Sequence, residues 1–69
     1  MIKIKVSDLL GKNKMSQAEL SRLTGIRPGT INALYYETVM RISIDQIDRL
    51  CKALRCQPSD IFEYIPDWF

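Results

Sequence analysis

The sequence of 69 residues contains no histidine and only two cysteines, Cys51 and Cys56. Two thiols cannot complete a four-ligand zinc site, and without an imidazole neither thiol has a base that would activate it as a nucleophile. The three glycines form no glycine-rich phosphate loop. An enzyme is therefore the least favoured class, and we expect no metal, cofactor or small-molecule ligand. Both cysteines are predicted to be small, buried and reduced.

Long apolar runs are also missing, since none approaches the roughly 20 residues of a membrane span. The N-terminus alternates apolar residues with lysine and lacks the apolar centre of a secretory signal, so we expect a cytoplasmic protein. The composition, 46% hydrophobic and 26% charged, is that of a globular domain. A chain this short buries only about 60% of its unfolded surface, which favours a partner subunit or an anchored tail.

Charge is unevenly distributed along the chain. Residues 1–36 carry six cations and two anions, whereas residues 37–69 carry four cations and six anions. A basic half joined to an acidic half is expected where one face meets phosphate and the other supports or dimerises. Mixed surface charge that serves only solubility is the alternative.

The centre of the chain carries the clearest helix signals. Ser16 and Glu19 form a capping box that opens a helix, with Leu20 and Leu23 as its apolar stripe. Gly25 is suited to end that helix because glycine readily adopts positive φ. Pro28 suits the first position of the next helix, from which Ile31 and Leu34 are predicted to face the core. Two short helices joined by a tight turn indicate a helix-turn-helix over residues 16–36.

Three further helices are predicted around this unit. The first covers residues 6–13, and a second capping box at Ser43 opens a strongly amphipathic helix that includes Ile44. Pro58 begins the last helix, which is predicted to reach Phe62 and Tyr64. The alternating N-terminal residues predict a short strand that pairs with the tail or with a second chain. The prediction is one all-α domain over residues 1–69, with five short helices.

Residues 15–35 resemble the helix-turn-helix of phage Cro and lambda-type repressors, the XRE family, and the resemblance extends over residues 6–64. The shared pattern is a capping serine, glutamine, leucine, a small residue, the turn glycine, an aliphatic residue and Thr-Ile in the next helix. Ser21 stands where alanine is commonest, and Pro28-Gly29 stands where longer polar residues are frequent. The resemblance implies a compact, five-helix, lambda-repressor-like fold that binds double-stranded DNA, in a protein of bacterial or phage origin.

By position, the resemblance implies two sets of DNA contacts. Arg27 is expected to bond guanine and Asn32 adenine. A phosphate contact or a solvated side chain remains open for Arg27, and a phosphate contact or a free surface amide for Asn32. For Thr30, a bond back to the helix is the alternative to phosphate, and for Arg41 it is a salt bridge to Glu37 or Asp45. The base-contact candidates are Arg27, Pro28, Gly29, Asn32, Ala33 and Tyr36, and the phosphate-contact candidates are Gln17, Thr30, Thr38 and Arg41.

A single domain of this size binds one half-site weakly, so we expect a homodimer that represses transcription from a pseudo-palindromic operator. An antitoxin-like adaptor or another protein-interaction module on the same fold is the alternative. Trp68 and Phe69 would either join the dimer surface or fold back onto their own core. The dimer-surface candidates are Ile2, Ile4, Ile61, Ile65, Trp68 and Phe69.

Overall fold

The computed structural model describes residues 1–66, so the predictions for Trp68 and Phe69 lie outside the described residues. Its five helices confirm the predicted fold class, and no helix in this part of the chain is long and apolar enough to cross a membrane. The elements in order are β1 (Ile2–Ile4), α1 (Val6–Lys12), α2 (Gln17–Thr24), α3 (Pro28–Tyr35), α4 (Ile44–Leu54), α5 (Pro58–Ile61) and β2 (Phe62–Tyr64).

Side chains in the sequence set most helix boundaries. The Ser16 hydroxyl accepts a hydrogen bond from the Glu19 amide at 3.1 Å, which confirms the predicted capping box at the start of α2. Ser43 forms the same arrangement at the start of α4. Gly25 ends α2 with φ of 72°, and Pro28 is the first residue of α3, as predicted.

The C-terminal part of the chain differs from the prediction. Helix α5 ends at Ile61, and Phe62–Tyr64 forms a strand that pairs antiparallel with β1, placing Phe62 opposite Ile4. The prediction of a helix reaching Tyr64 was wrong because pairing with β1 outweighs continuation of a helix only one turn long. The partner of the N-terminal strand is therefore the tail of the same chain. We call the β1–β2 pair the ribbon.

Helix α2 packs against α3 and α4, and α1 packs against α3, so that the core lies among these four helices. Ile31 and Leu34 are fully buried in it, as predicted. The apolar stripes were predicted too broadly, because Leu23 is 53% exposed and Ile44 is 82% exposed. The buried apolar residues are Ile4, Val6, Leu10, Leu20, Ile26, Ile31, Leu34, Leu50, Leu54 and Ile61.

Two of the residues expected at a dimer surface are used inside the fold. Ile61 is fully buried at the junction of α5 and β2, and Ile4 is buried beside it in the same cluster. Ile61 has no exposed surface with which to contact a partner, and Ile4 is only 8% exposed, so a dimer surface would have to rely mainly on other residues. Ile2 is exposed and Ile65 is partly buried, so these two remain candidates.

Candidate nucleic-acid interface

The turn between α2 and α3 is clamped from α4. The guanidinium of Arg49 donates a hydrogen bond from Nη1 to the Thr24 carbonyl at 3.1 Å, and its Nε lies 2.9 Å from the Asp45 carboxylate. A Cβ at Gly25 would lie 3.2 Å from the same Nη1, and the positive φ there disfavours any other residue. Glycine at the turn therefore serves both the backbone conformation and the close approach of Arg49, which the sequence alone did not reveal.

Two hydroxyls from α2 hold the residue that leads into α3. Thr24 is buried, and its hydroxyl donates to the Leu20 carbonyl at 2.7 Å and accepts from the Ile26 amide at 3.2 Å. Ser21 donates to the Ile26 carbonyl at 2.6 Å. Both backbone polar groups of buried Ile26 are thus satisfied, which fixes the direction in which the chain enters α3. Ser21, the departure from the family's usual alanine, supplies one of these bonds.

Helix α3 buries one side and presents the other to solvent. Its eight residues span roughly 12 Å at 1.5 Å per residue, which is comparable to the width of the DNA major groove. Ala33 is partly buried, and the remaining base-contact candidates are exposed. The structure thus brings together, on or beside the outer side of α3, Arg27, Pro28, Gly29, Asn32, Ala33 and Tyr36.

The polar side chains on this side are free to bind. Within residues 1–66, Arg27 forms no ion pair, and neither its guanidinium nor the amide of Asn32 has a hydrogen-bond partner. No atom lies within 4 Å of the place a Cβ would occupy on Gly29, so packing does not explain that glycine. Tyr36 is 63% exposed and packs edge-on against Tyr35, with ring centroids 4.9 Å apart.

Three of the four phosphate-contact candidates flank this surface in the chain, and the fourth, Thr30, lies within α3. Gln17 is the first residue of α2, and the Thr30 hydroxyl makes no bond back to the helix within the described residues. Thr38 donates to the Ala33 carbonyl over a long 3.5 Å, which leaves its hydroxyl weakly held. Arg41 is exposed and, among residues 1–66, forms no salt bridge to Glu37 or to Asp45, the two alternatives to a phosphate contact. Asp45 pairs with Arg49 instead.

Glu37 connects this surface to the ribbon, a role that the sequence did not indicate. Its Oε1 accepts a hydrogen bond from the Ile4 amide at 2.9 Å, on the side of β1 that faces away from β2. The residue lies just after α3 with φ of 59°, a conformation that non-glycine residues seldom adopt. The end of α3 is thereby attached to the N-terminal strand.

Comparison with known proteins agrees with this geometry. The family profile of the Cro/C1-type HTH DNA-binding domain matches residues 5–67, which is nearly the whole chain. The chain is also 39% identical over 64 residues to YozG of Bacillus subtilis (strain 168), which is named an uncharacterized HTH-type transcriptional regulator. That match covers 93% of this chain and 76% of the relative. The chain therefore belongs to the Cro/C1-type helix-turn-helix family and is a DNA-binding transcriptional regulator.

Proposed function

We propose that this protein represses transcription by binding a pseudo-palindromic operator as a homodimer, in the cytoplasm of a bacterium or of a phage-infected cell. The observation that carries the proposal is the outer side of α3, where Arg27 and Asn32 have donors without partners in residues 1–66, next to a turn fixed by hydrogen bonds. A dimer seated on a promoter would exclude polymerase by occupying the site. The bacterial relative supports this setting.

Each base-contact candidate on or beside α3 has a distinct role in this proposal. Arg27 bonds O6 and N7 of guanine, and Asn32 bonds N6 and N7 of adenine, because these pairings fit the major groove. Pro28 and Ala33 contact thymine methyl groups. Gly29 lets the start of the helix approach the DNA closely, in keeping with the open space around it. Tyr36 adds a contact at the end of the helix, one turn beyond Asn32.

Phosphate contacts set the position of α3 in the groove but do not read sequence. Gln17 and the first amides of α2 face the DNA backbone in this arrangement, supported by the positive end of the helix dipole. Thr30 and Thr38 donate their hydroxyls to phosphate oxygens. Arg41 provides the strongest of these contacts because it is exposed and forms no ion pair in residues 1–66.

The proposed dimer uses the surface beside the ribbon. A cleft of about 250 Å³ there is lined by apolar residues of the ribbon and of the segment after α3, namely Ile2, Ile4, Phe62, Val39, Met40 and Ile42, together with Glu37 and Arg41. Met40 is 93% exposed at its rim. In a two-fold dimer the same patch meets itself, so that Met40 of each copy enters the cleft of the other. Ile2, Ile65, Trp68 and Phe69 are proposed to extend this contact.

Two substitutions at exposed residues test the proposed dimer. Met40→Glu places a charge in the proposed interface and is expected to convert dimers to monomers in sedimentation velocity. Ile44→Glu is the matched control because Ile44 is 82% exposed and does not line the cleft. A wild-type monomer at all concentrations rules out the homodimer. Dimers that persist in Met40→Glu rule out this surface.

The DNA target is found by selecting bound duplexes from a random pool with the purified chain. We expect one motif in two inverted copies whose centres are about 10 base pairs, or one helical turn, apart. On the selected duplex, the logarithm of the binding constant should fall linearly with the logarithm of the salt concentration. Equal, weak binding to all duplexes at physiological salt would refute sequence-specific recognition.

A further inference from the structure

The two cysteines meet at the end of α4. Arg55 adopts the left-handed conformation with φ of 53°, and the amides of Arg55 and Cys56 both donate to the Cys51 carbonyl, the latter at 3.1 Å. The bond from Cys56 is the 6→1 bond of a Schellman helix end, and the bond from Arg55 is the 5→1 bond of the αL motif. In a Schellman end the side chains at the positions of Cys51 and Cys56 commonly contact each other. The pair was expected to be merely buried and apolar, yet both thiols are only partly buried.

Their surroundings place the thiols together and keep them accessible. Cys51 and Cys56 line one cleft of about 300 Å³, together with residues of α4 and the start of α5. Burial is the main cause that raises the pKa of the Cys56 thiol. The charges of Cys51 and of Asp60, and a hydrogen bond between the two cysteine side chains, raise this pKa further. The raised pKa lowers the thiolate fraction of Cys56 at neutral pH, which makes this thiol a poor first nucleophile.

We propose that Cys51 and Cys56 form a dithiol site that low-molecular-weight disulfides oxidise to an intrachain disulfide. The Cys51 thiolate attacks one sulfur of the reagent, forming a mixed disulfide and releasing the first small thiol. Cys56 then loses its proton to solvent, attacks the Cys51 sulfur and expels the second small thiol. The protein loses two electrons and two protons, and the reagent is reduced to two thiols.

Oxidation at this site would act on the junction of α4 and α5. None of the residues that line the cleft belongs to α2 or α3, so the outer side of α3 is left unchanged. A disulfide across the junction restricts the unfolded chain, and for a loop and a domain of this size we expect the melting temperature to rise by about 10–15 °C. This inference does not depend on the proposed operator or on the dimer.

The test treats the full-length reduced protein with oxidised glutathione and follows it by mass spectrometry. The wild type should lose about 2 Da, both thiols should become inaccessible to alkylation, and a reductant should reverse the change. Cys56→Ser should stop at one glutathione adduct on Cys51, because the second thiol is missing. Persistent adducts on both wild-type cysteines, disulfide-linked dimers, or two thiols that remain free would each overturn the proposal.

Cys51→Ser provides the matched comparison. Its remaining thiol is the one whose pKa burial raises, so it should form the glutathione adduct more slowly than Cys56→Ser at neutral pH. The difference should narrow as the pH rises, because Cys56 then ionises. The proposed order of steps makes Cys51 the first nucleophile. Equal rates of adduct formation in the two variants at neutral pH would overturn that order.

Discussion

The turn and the ribbon of this small domain are held in opposite ways. At the turn, hydroxyls of Ser21 and Thr24 bond backbone groups no more than five residues away. At the end of the ribbon, the terminal ammonium group of Met1 donates to the Ile65 carbonyl at 2.6 Å, across 64 positions of sequence. The Ile65 amide returns a bond to the Met1 carbonyl at 2.8 Å.

These contacts indicate which part of the fold can form first. The hydroxyl bonds of the turn are available as soon as α2 and α3 meet, and Arg49 then adds its bond to Thr24 from α4. The ribbon requires residues near the two ends of the sequence to come together and therefore the largest loop closure. Glu37 joins the two regions, since it lies just after α3 and accepts the Ile4 amide. Three substitutions separate these contributions.

The largest effect is expected in the ribbon region, from Ile61→Ala. Ile61 is fully buried where α5 meets β2, and removing its side chain should lower the free energy of unfolding by about 2–5 kcal/mol, measured by urea denaturation. Ile44→Ala is the control, because its exposed side chain should change stability by less than about 0.5 kcal/mol. Similar losses in the two variants would mean that the ribbon does not depend on this packing.

A smaller loss is expected at the turn, from Thr24→Val. Valine keeps the shape but removes the hydroxyl that accepts the buried Ile26 amide, which should cost about 1–3 kcal/mol of unfolding free energy. Thr38→Val is the matched control, since the hydroxyl of Thr38 is exposed and its bond is 3.5 Å long. If Thr24→Val is as stable as the wild type, the hydroxyl bonds do not hold the turn.

The smallest effect is expected at the connection between the regions. Glu37→Ala removes the acceptor of the Ile4 amide and should destabilise the fold by about 1 kcal/mol, while Glu37→Gln keeps an oxygen there and should cost less. Hydrogen exchange at the Ile4 amide should therefore be fastest in Glu37→Ala and intermediate in Glu37→Gln. Unchanged exchange in both variants would show that Glu37 does not protect this strand.

The contrast between short-range contacts at the turn and long-range contacts in the ribbon also explains which parts of the fold the sequence could predict. The capping serines, Gly25 and Pro28 act within one helical turn, so the boundaries of α2 and α3 were confirmed. The strand at Phe62–Tyr64 was missed because a short apolar segment adopts helix or strand according to its tertiary partner, which here is β1.

At the candidate site, too, local features could be predicted from the sequence and long-range contacts could not. That the outer side of α3 is exposed followed from helical periodicity once Ile31 and Leu34 were assigned to the core. The contacts of Arg49 with Thr24 and of Glu37 with Ile4 join elements distant in sequence, so no local pattern announces them. The individual DNA contacts stay predictions, because they depend on a partner molecule.

The most direct test of α3 as the reading element compares Asn32→Ala with Arg41→Ala on duplexes selected by the wild type. We predict that Asn32→Ala weakens binding by about 1–3 kcal/mol and loses preference at one base position. Arg41→Ala should weaken all sequences alike and reduce the salt slope by about 1. If Asn32→Ala retained the full wild-type preference at every position, the assignment of Asn32 as a base-reading residue of α3 would be contradicted.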